Sequence, residues 1–178
     1  MRAKDLVGAS MSQAPIHVVP YDPTWVAQFE RERAILEKLL ARWRRGPIEH
    51  VGSTAIPGLC AKPVIDMMVG VTSLRESEPA KAALREAGYQ YSEYKTEVMH
   101  WFCKPSFAVR THHLHLIPYG SPLWHDRLKF RDILRADRAL AADHATLKLD
   151  LASKFELDRE AYTEAKSPFI ARILASAG

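Results

Sequence analysis

The chain has 178 residues, of which 47% are hydrophobic and 26% charged, and its formal net charge is +4. This composition is typical of a globular protein with a full hydrophobic core and excludes a low-complexity or disordered chain. Two cysteines are too few for a disulfide framework, and no apolar run approaches the roughly 18 residues that a membrane span needs. We therefore expect a cytoplasmic protein without a membrane partner.

The first fifteen residues contain basic side chains but no long apolar run, so we expect a loose tail at 1–15 rather than a secretory signal. A single domain is predicted at 16–178, with its sheet at about 16–120 and a helical part at about 121–178. The modest positive charge favours small anions such as nucleotides. Nucleic acid is not an expected partner, because the chain has neither a Lys/Arg tract nor a nucleic-acid-binding motif.

The first predicted helix begins at Asp22, because an acidic N-cap residue is followed by Pro23 at the first helical position. Apolar residues then recur at helical spacing, which extends this helix to about Arg44. A short strand is predicted at 48–52. The continuous apolar run at 64–71 predicts a strand that is buried on both faces.

Ser73 begins a capping box with Glu76, and the helix that follows is expected to end at Gly88. Three further strands are predicted, at 89–95, 98–104 and 113–118. Three further helices are predicted, at 121–139, 143–155 and 159–175. This order of elements predicts an α/β fold, with a mixed central sheet, flanking helices and a helical C-terminal segment.

The segment that most suggests a function is the small-residue turn Gly52-Ser53-Thr54, which Lys62 and Asp66 follow. Glycine lets the backbone approach a ligand closely, and the N–H groups of such a turn can hold phosphate oxygens. Asp66 stands alone in an apolar strand, where a charge is costly unless it is paired or binds a metal. This order indicates nucleotide and metal chemistry. The alternatives are a plain tight turn and a structural ion pair of Asp66 with Lys62 or a nearby arginine. His50 can either bond a phosphate or fix the turn.

The turn and the aspartate resemble the signature of the nucleotidyltransferase superfamily, and within it the chain closely resembles the bacterial GrpB family. The matching segments are 18–25, 49–66, His113–His115, Arg127, 130–132 and 147–170, with Tyr162, Lys166 and Phe169. The resemblance implies a nucleotidyltransferase-like fold and nucleotidyl transfer as the ancestral chemistry, with Mg²⁺ or Mn²⁺ as the cofactor. The superfamily usually has a second acid two residues after the first, where this chain has Met68.

His113 and His115 are two residues apart on a predicted strand and therefore share one face. In the superfamily a third acid often lies on such a later strand. By the resemblance, this chain has imidazoles in that place. With Asp66 they can form a two-histidine, one-carboxylate site for manganese, iron or zinc. Alternatively, one histidine is a general base, or the pair is structural. We predict that these three residues are the catalytic and metal-binding groups.

Basic residues farther along the chain are predicted to bind phosphates. Arg127 and Arg131 lie on one helix face, and Tyr162 and Lys166 are four apart on the last helix, where they can stack a base and contact a phosphate. For each of them the alternative is a solvated or surface-packing side chain. The predicted nucleotide-binding residues are Gly52, Ser53, Thr54, Lys62, Arg127, Arg131, Lys148, Tyr162 and Lys166.

These residues predict metal-dependent transfer of a nucleoside monophosphate from a nucleoside triphosphate to an unknown small-molecule or protein acceptor. Two alternatives remain open. Met68 favours a non-catalytic nucleotide-binding or accessory module of the GrpB family, whose domains also occur fused to dephospho-coenzyme A kinase domains. The pair His113 and His115 favours a small metal-dependent hydrolase. The sequence has no Gly-x-x-x-x-Gly-Lys-Ser/Thr loop, which argues against a P-loop kinase.

Overall fold

Five strands of the computed structural model, which describes residues 15–176, form one sheet, and helices lie against it. The strands are β1 (Arg44–Val51), β2 (Ile65–Val71), β3 (Gln90–Ser92), β4 (His100–Pro105) and β5 (Arg110–Pro118). The helices are α1 (Thr24–Leu39), α2 (Leu74–Ser77), α3 (Ala80–Glu86), α4 (Pro122–Ala136), α5 (Arg138–Lys154), α6 (Arg159–Glu164) and α7 (Ser167–Ser176). The predicted tail at 1–15 lies outside the described residues, apart from Pro15.

The sheet has the strand order β1-β2-β5-β4-β3. The two central strands, β2 and β5, are parallel, and every other neighbouring pair is antiparallel. In the parallel pair Asp66 lies opposite His113, and Met68 lies opposite His115. The predicted α/β architecture with a mixed sheet and flanking helices is confirmed.

Alternation along β2 divides its side chains between two buried faces, as the apolar run predicted. The first face packs against α1 and α3 through a large core that includes Trp25, Phe29, Leu36, Ile65, Met67, Leu84 and Leu114. The second face packs against α4 through a smaller core that includes Val51, Met68, Met99, Ile117 and Trp124. Asp66 and the pair His113 and His115 belong to this second face.

A buried polar network lies on the first face. Glu32 of α1 is only 5% exposed, and its carboxylate is 2.6 Å from the Lys104 ammonium and accepts a 2.6 Å hydrogen bond from the Tyr89 hydroxyl. Burial favours the neutral carboxyl, but the bonds from Lys104 and Tyr89 outweigh it, so the pKa of Glu32 lies below its ordinary value. The sequence analysis did not identify this network.

The N-terminal elements differ from the prediction in their boundaries. Helix α1 ends at Leu39 rather than at about Arg44, because the N–H groups of Trp43 and Arg44 turn back to the carbonyl of Leu40. Arg44 then begins β1, which is longer than the predicted strand at 48–52, and Arg44 pairs with Val71 at the end of β2. The predicted cap at Ser73 is confirmed, since its hydroxyl accepts the N–H of Glu76.

The C-terminal helices also begin and end at other residues than predicted. The Asp137 carboxylate accepts the N–H groups of Ala139 and Leu140, so α5 begins at Arg138, five residues earlier than predicted. The predicted helix at 159–175 is broken into α6 and α7. No helix within residues 15–176 is both long enough and apolar enough to cross a membrane.

Candidate functional site

Asp66 lies near the start of β2, beside two histidines of β5. Its Oδ1 atom is 3.0 Å from Nδ1 of His113 and 3.6 Å from Nε2 of His115. A carboxylate only accepts, so Nδ1 of His113 is the donor, and its Nε2 is buried without a hydrogen-bond partner among the described residues. Burial favours the neutral carboxyl, but the contacts with the two histidines outweigh it and hold the pKa of Asp66 well below its usual range. Asp66 is therefore ionised at neutral pH.

The two histidines have different surroundings. Burial, followed by the nearby charge of Arg127, lowers the pKa of His115 to about 3, so this imidazole is neutral. Its Nδ1 lies 3.5 Å from the sulfur of Met99, and its Nε2 is too far from Asp66 for a good hydrogen bond. Only His113 therefore has the oriented imidazole that a general base requires.

The glycine turn lies against the carboxylate of Asp66. Gly52 has a φ of +71°, a conformation that glycine adopts without strain. A Cβ atom at this position would lie 2.5 Å from Oδ2 of Asp66. One oxygen of Asp66 thus faces the histidines and the other faces the turn. Ser53 follows as the first residue of a short 3₁₀ helix, Ser53–Ala55, with its side chain partly exposed.

Replacing Gly52 by alanine is expected to destabilise the protein and displace Asp66. Gly58 is a matched control, because it also has a positive φ of +79° but has no heavy atom within 4 Å of the added Cβ. We expect Gly52→Ala to lower the free energy of unfolding by about 1–3 kcal/mol more than Gly58→Ala, measured by urea denaturation. Equal losses would mean that the contact with Asp66 is not constraining.

Thr54 has a structural role, which corrects the expectation that its hydroxyl contacts a phosphate. Its Oγ1 donates to the carbonyl of Val64 at 3.3 Å and lies 3.0 Å from Nε2 of His50, and the side chain is buried. His50 stacks on Phe29 with 4.7 Å between ring centroids, and burial lowers its pKa to about 4. Of the two roles considered for His50, the structure supports the fixing of the turn.

Arg131 is also engaged by protein groups, contrary to the expectation that it binds a phosphate. Its guanidinium donates to the carboxylate of Glu49 at 2.7 Å and to that of Asp132 at 2.7 Å. Arg135, one turn later, donates to the carbonyl of Ala55 at 2.9 Å. These two arginines therefore attach α4 to β1 and to the turn. The carboxylates of Glu49 and Asp132 already neutralise the charge of Arg131, so it does not serve a ligand.

Lys148 was predicted to contact a triphosphate, with a solvated lysine as the alternative, and the structure supports neither. The side chain is 2% exposed, and its ammonium donates to the carbonyl of Cys60. Burial lowers its pKa to about 8. Lys148 thus connects α5 to the loop that leads to Lys62 and β2.

Tyr162 is buried with Ile16, so it cannot act as the predicted platform for a base. Instead its ring lies between two ammonium groups, 4.8 Å from that of Lys62 and 4.3 Å from that of Lys166. Burial is the main cause that lowers the pKa of each lysine to about 8, and for Lys62 the charge of Lys166 adds to it. Within residues 15–176, neither lysine has a carboxylate at ion-pair distance.

Arg127 of α4 is a third cation near Asp66, and it too has no carboxylate at ion-pair distance among the described residues. The residue is partly buried, and its Nη2 lies 3.9 Å from the sulfur of Met99. Burial lowers its pKa, while the nearby charge of Asp66 opposes that shift. The charges of Lys62, Lys166 and Arg127 all act on this one carboxylate, and such an excess of positive charge suits an anionic ligand. We call the region around these four residues the Asp66 cleft.

Comparison with known proteins agrees with the resemblance noted in the sequence. The family model described as "GrpB protein" matches residues 15–176. The chain belongs to the GrpB family. It is 32% identical to the glutamate-rich protein GrpB of Alkalihalophilus pseudofirmus, over 92% of this chain and 97% of that protein. It is similar to the crystal structure of the conserved protein GrpB from Enterococcus faecalis, with a TM-score of 0.81 and 32% identity, over 90% of this chain and 96% of that one.

A second kind of GrpB relative is larger than this chain. The dephospho-CoA kinase of Mycolicibacterium paratuberculosis is 31% identical over 94% of this chain, but the match spans only 47% of that protein. The GrpB-like part therefore makes up about half of that relative.

Two residues beside the cleft of this GrpB-family chain were not identified from the sequence. The ring centroid of Trp101 lies 5.1 Å from that of His113, and the Arg110 guanidinium lies 5.2 Å above the Trp101 ring. The start of β5 was predicted at 113, three residues late, which left Arg110 in a loop. The predicted strands at 98–104 and 113–118 correspond to β4 and β5, which are hydrogen-bonded neighbours in the sheet. Predicting that these two strands pair would have placed Trp101 beside the histidines.

The arrangement of the described side chains bears on the metal-binding prediction. Within residues 15–176, no group of three or more His, Cys, Asp and Glu side chains has the geometry to hold a metal ion. The two-histidine site with Asp66 stays a prediction. A magnesium ion that arrives with phosphates needs few protein ligands, because it keeps several waters, so the one carboxylate of Asp66 fits such an ion.

Proposed function

We propose that this chain transfers a nucleoside monophosphate from a nucleoside triphosphate to a hydroxyl group of an acceptor. The observation that supports this proposal is the position of Asp66, whose Oδ1 faces His113 while its Oδ2 faces the turn at Gly52. In this proposal the phosphates bind at the turn and His113 is the general base, on opposite sides of one ionised carboxylate.

The phosphates are expected to bind where the cations are in excess. The backbone at Gly52 and Ser53 offers a close approach, and Lys62, Lys166 and Arg127 supply positive charge. Asp66 would hold a magnesium or manganese ion that arrives with the triphosphate, and such an ion neutralises phosphate charge. These lysines and this arginine would then stabilise the negative charge that develops on the pyrophosphate as it leaves.

His113 would take the proton of the attacking hydroxyl on Nε2. Asp66 accepts the hydrogen bond from Nδ1, which orients the ring and stabilises the imidazolium that forms. The acceptor oxygen forms a bond to the α-phosphorus as the bond from the α-phosphorus to the bridging oxygen breaks. Pyrophosphate leaves with that electron pair. Microscopic reversibility makes the same histidine the acid of the reverse reaction.

Similarity to known proteins also favours a nucleotide ligand. The chain is similar to a segment of a protein that is named dephospho-CoA kinase. The kinase activity in that name belongs to that protein as a whole. We take this as support for nucleotide-related chemistry at the Asp66 cleft.

Met68 favours a second candidate, a nucleotide-binding module without turnover. The side chain at this position, where the superfamily usually has its second acid, is fully buried in the core beneath α4. A chain with one carboxylate can retain nucleotide binding and lack the second metal ligand. The two candidates differ in one measurement, the release of pyrophosphate.

The test is a thermal-shift panel of nucleoside triphosphates with magnesium or manganese. At about 100 times its dissociation constant, a ligand stabilises the folded state by roughly 2.7 kcal/mol, which raises the midpoint visibly. We expect this shift in the wild type and its loss in Asp66→Asn. Asp150→Asn is the matched control, because Asp150 is an exposed carboxylate that pairs with Lys154 on α5.

Pyrophosphate release with a panel of hydroxylated acceptors then separates the two candidates. A rate that falls at least ~100-fold in Asp66→Asn and is unchanged in Asp150→Asn supports the transferase. A nucleotide shift without any pyrophosphate supports the binding module. If no triphosphate stabilises the wild type, both candidates are wrong.

A further inference from the structure

An aromatic wall lies on the side of His113 away from the phosphate turn. Trp101 contacts His113, and Phe107 stacks beside Trp101 with 6.5 Å between centroids and 19° between planes. Tyr94, which is 36% exposed, approaches the Trp101 ring edge-on at 6.4 Å. The β4–β5 hairpin supplies Phe107, and the segment between β3 and β4 supplies Tyr94.

Arg110 places a positive charge on this wall. Its guanidinium lies over the Trp101 ring, and its Nε donates to the carbonyl of Phe107 at 3.0 Å. The side chain is half-buried, and within residues 15–176 no carboxylate lies at ion-pair distance from it. A guanidinium held by stacking and one hydrogen bond keeps other N–H donors for a ligand. Its planar fork suits the oxygens of a carboxylate or a phosphate.

We infer that the wall of Trp101, Phe107 and Arg110 binds the acceptor, and that the acceptor is a small hydroxylated molecule with an anionic group. This inference rests on the proposed function, because it takes His113 as the base. The hydroxyl must reach Nε2 of His113, and Arg110 is a cation held close to that ring by its stacking on Trp101. Arg110 thus selects an acceptor whose charged group lies a few atoms from the reacting hydroxyl.

The charge of Arg110 has a second possible use, which the experiment distinguishes. Arg110 lies near enough to Lys62 for its charge to lower the pKa of that lysine. It would therefore be part of the phosphate site if its guanidinium pointed to the triphosphate. Its stacking on Trp101 instead places it beside the ring that contacts His113.

The test is made with the phosphate site already filled. The wild type is saturated with magnesium and a triphosphate analogue that carries a methylene group between the α and β phosphorus atoms. Glycerol 3-phosphate, glycolate and glycerol are then added separately, and the further thermal shift is measured. We expect the two anions to add a shift and glycerol to add none. Whichever anion binds more tightly identifies the preferred charged group.

Arg110→Gln should remove the added shift, or raise the apparent dissociation constant of the anionic probe about tenfold or more, while the shift from the analogue stays. Arg85→Gln, an exposed arginine on α3, is the matched control. The inference is overturned if neither anion adds a shift, if glycerol adds as much, or if Arg110→Gln loses the shift from the analogue. An analogue that fails to stabilise the wild type instead overturns the proposed function itself.

Discussion

Acidification from pH 6.5 to pH 5 is expected to lower the free energy of unfolding by several kcal/mol. Among the described residues four histidines, His50, His100, His115 and His144, are buried, and the pKa of each is lowered. Burial is the main cause that lowers the pKa of His50 to about 4 and that of His115 and His144 to about 3, from 6.5. Between these values and 6.5 the unfolded chain binds protons that the folded chain does not. Stability therefore falls as the pH falls, by about 1.4 kcal/mol per pH unit for each histidine.

His144→Phe isolates the contribution of one histidine to this effect without touching the Asp66 cleft. The His144 ring stacks on Phe169 at 5.2 Å and meets Phe130 edge-on at 5.6 Å, contacts that a phenyl ring can keep. We expect urea denaturation to show a smaller decrease with acid, by up to ~1.4 kcal/mol per pH unit, and similar stability at pH 7. His17→Phe, at an exposed position, is the matched control. An unaltered pH dependence in His144→Phe would show that folding does not lower the pKa of this imidazole.

Lys104→Met is expected to lower the free energy of unfolding by about 3–5 kcal/mol at pH 7, because it leaves a buried carboxylate without its cation. Glu32 is the buried partner, 2.6 Å from the Lys104 ammonium, and Tyr89 alone would remain as its donor. Without Lys104 the pKa of Glu32 rises, so protonation in mild acid should reduce the loss. Chemical denaturation at pH 7 and pH 5 measures both effects.

The double variant Glu32→Gln with Lys104→Met is the control for this pair. It removes both charges together, and an amide keeps a hydrogen-bond acceptor for Tyr89. We expect it to be more stable than Lys104→Met alone, since no uncompensated charge is left in the core. If the double variant is the less stable of the two, the loss in the single variant comes from packing of the lysine stem rather than from charge.

Much of the candidate site followed from local sequence pattern. The lone acid in an apolar run, the glycine turn before it and two histidines at alternating positions predicted that these groups meet. The structure places Asp66 opposite His113 and against Gly52. Strand alternation fixes which side chains share a face, so the prediction needed only the correct pairing of two strands.

The roles of the helical cations could not be predicted in this way. Arg127 and Arg131 are one turn apart on α4, yet one faces the cleft and the other binds Glu49 and Asp132. Lys148 is buried because α5 packs against the loop at Cys60. Such partners are carbonyls and carboxylates that are distant in sequence, and a helical period gives no information about them. The early end of α1 also depends on a partner that is distant in sequence. Arg44 continues the helical spacing of apolar residues, but it pairs with Val71 as the first residue of β1.

The pairing of Asp66 with His113 lies in the two central strands of the sheet, whereas Phe107 and Tyr94 lie in connections at its far side. Central strands are held from both sides and tolerate little change, while connecting loops accept substitutions and insertions readily. Members of the family can therefore vary the aromatic side of the cleft while they keep the pairing of Asp66 with His113. A comparison of relatives should find variation in length concentrated between β3 and β5 and almost none between the turn and β2.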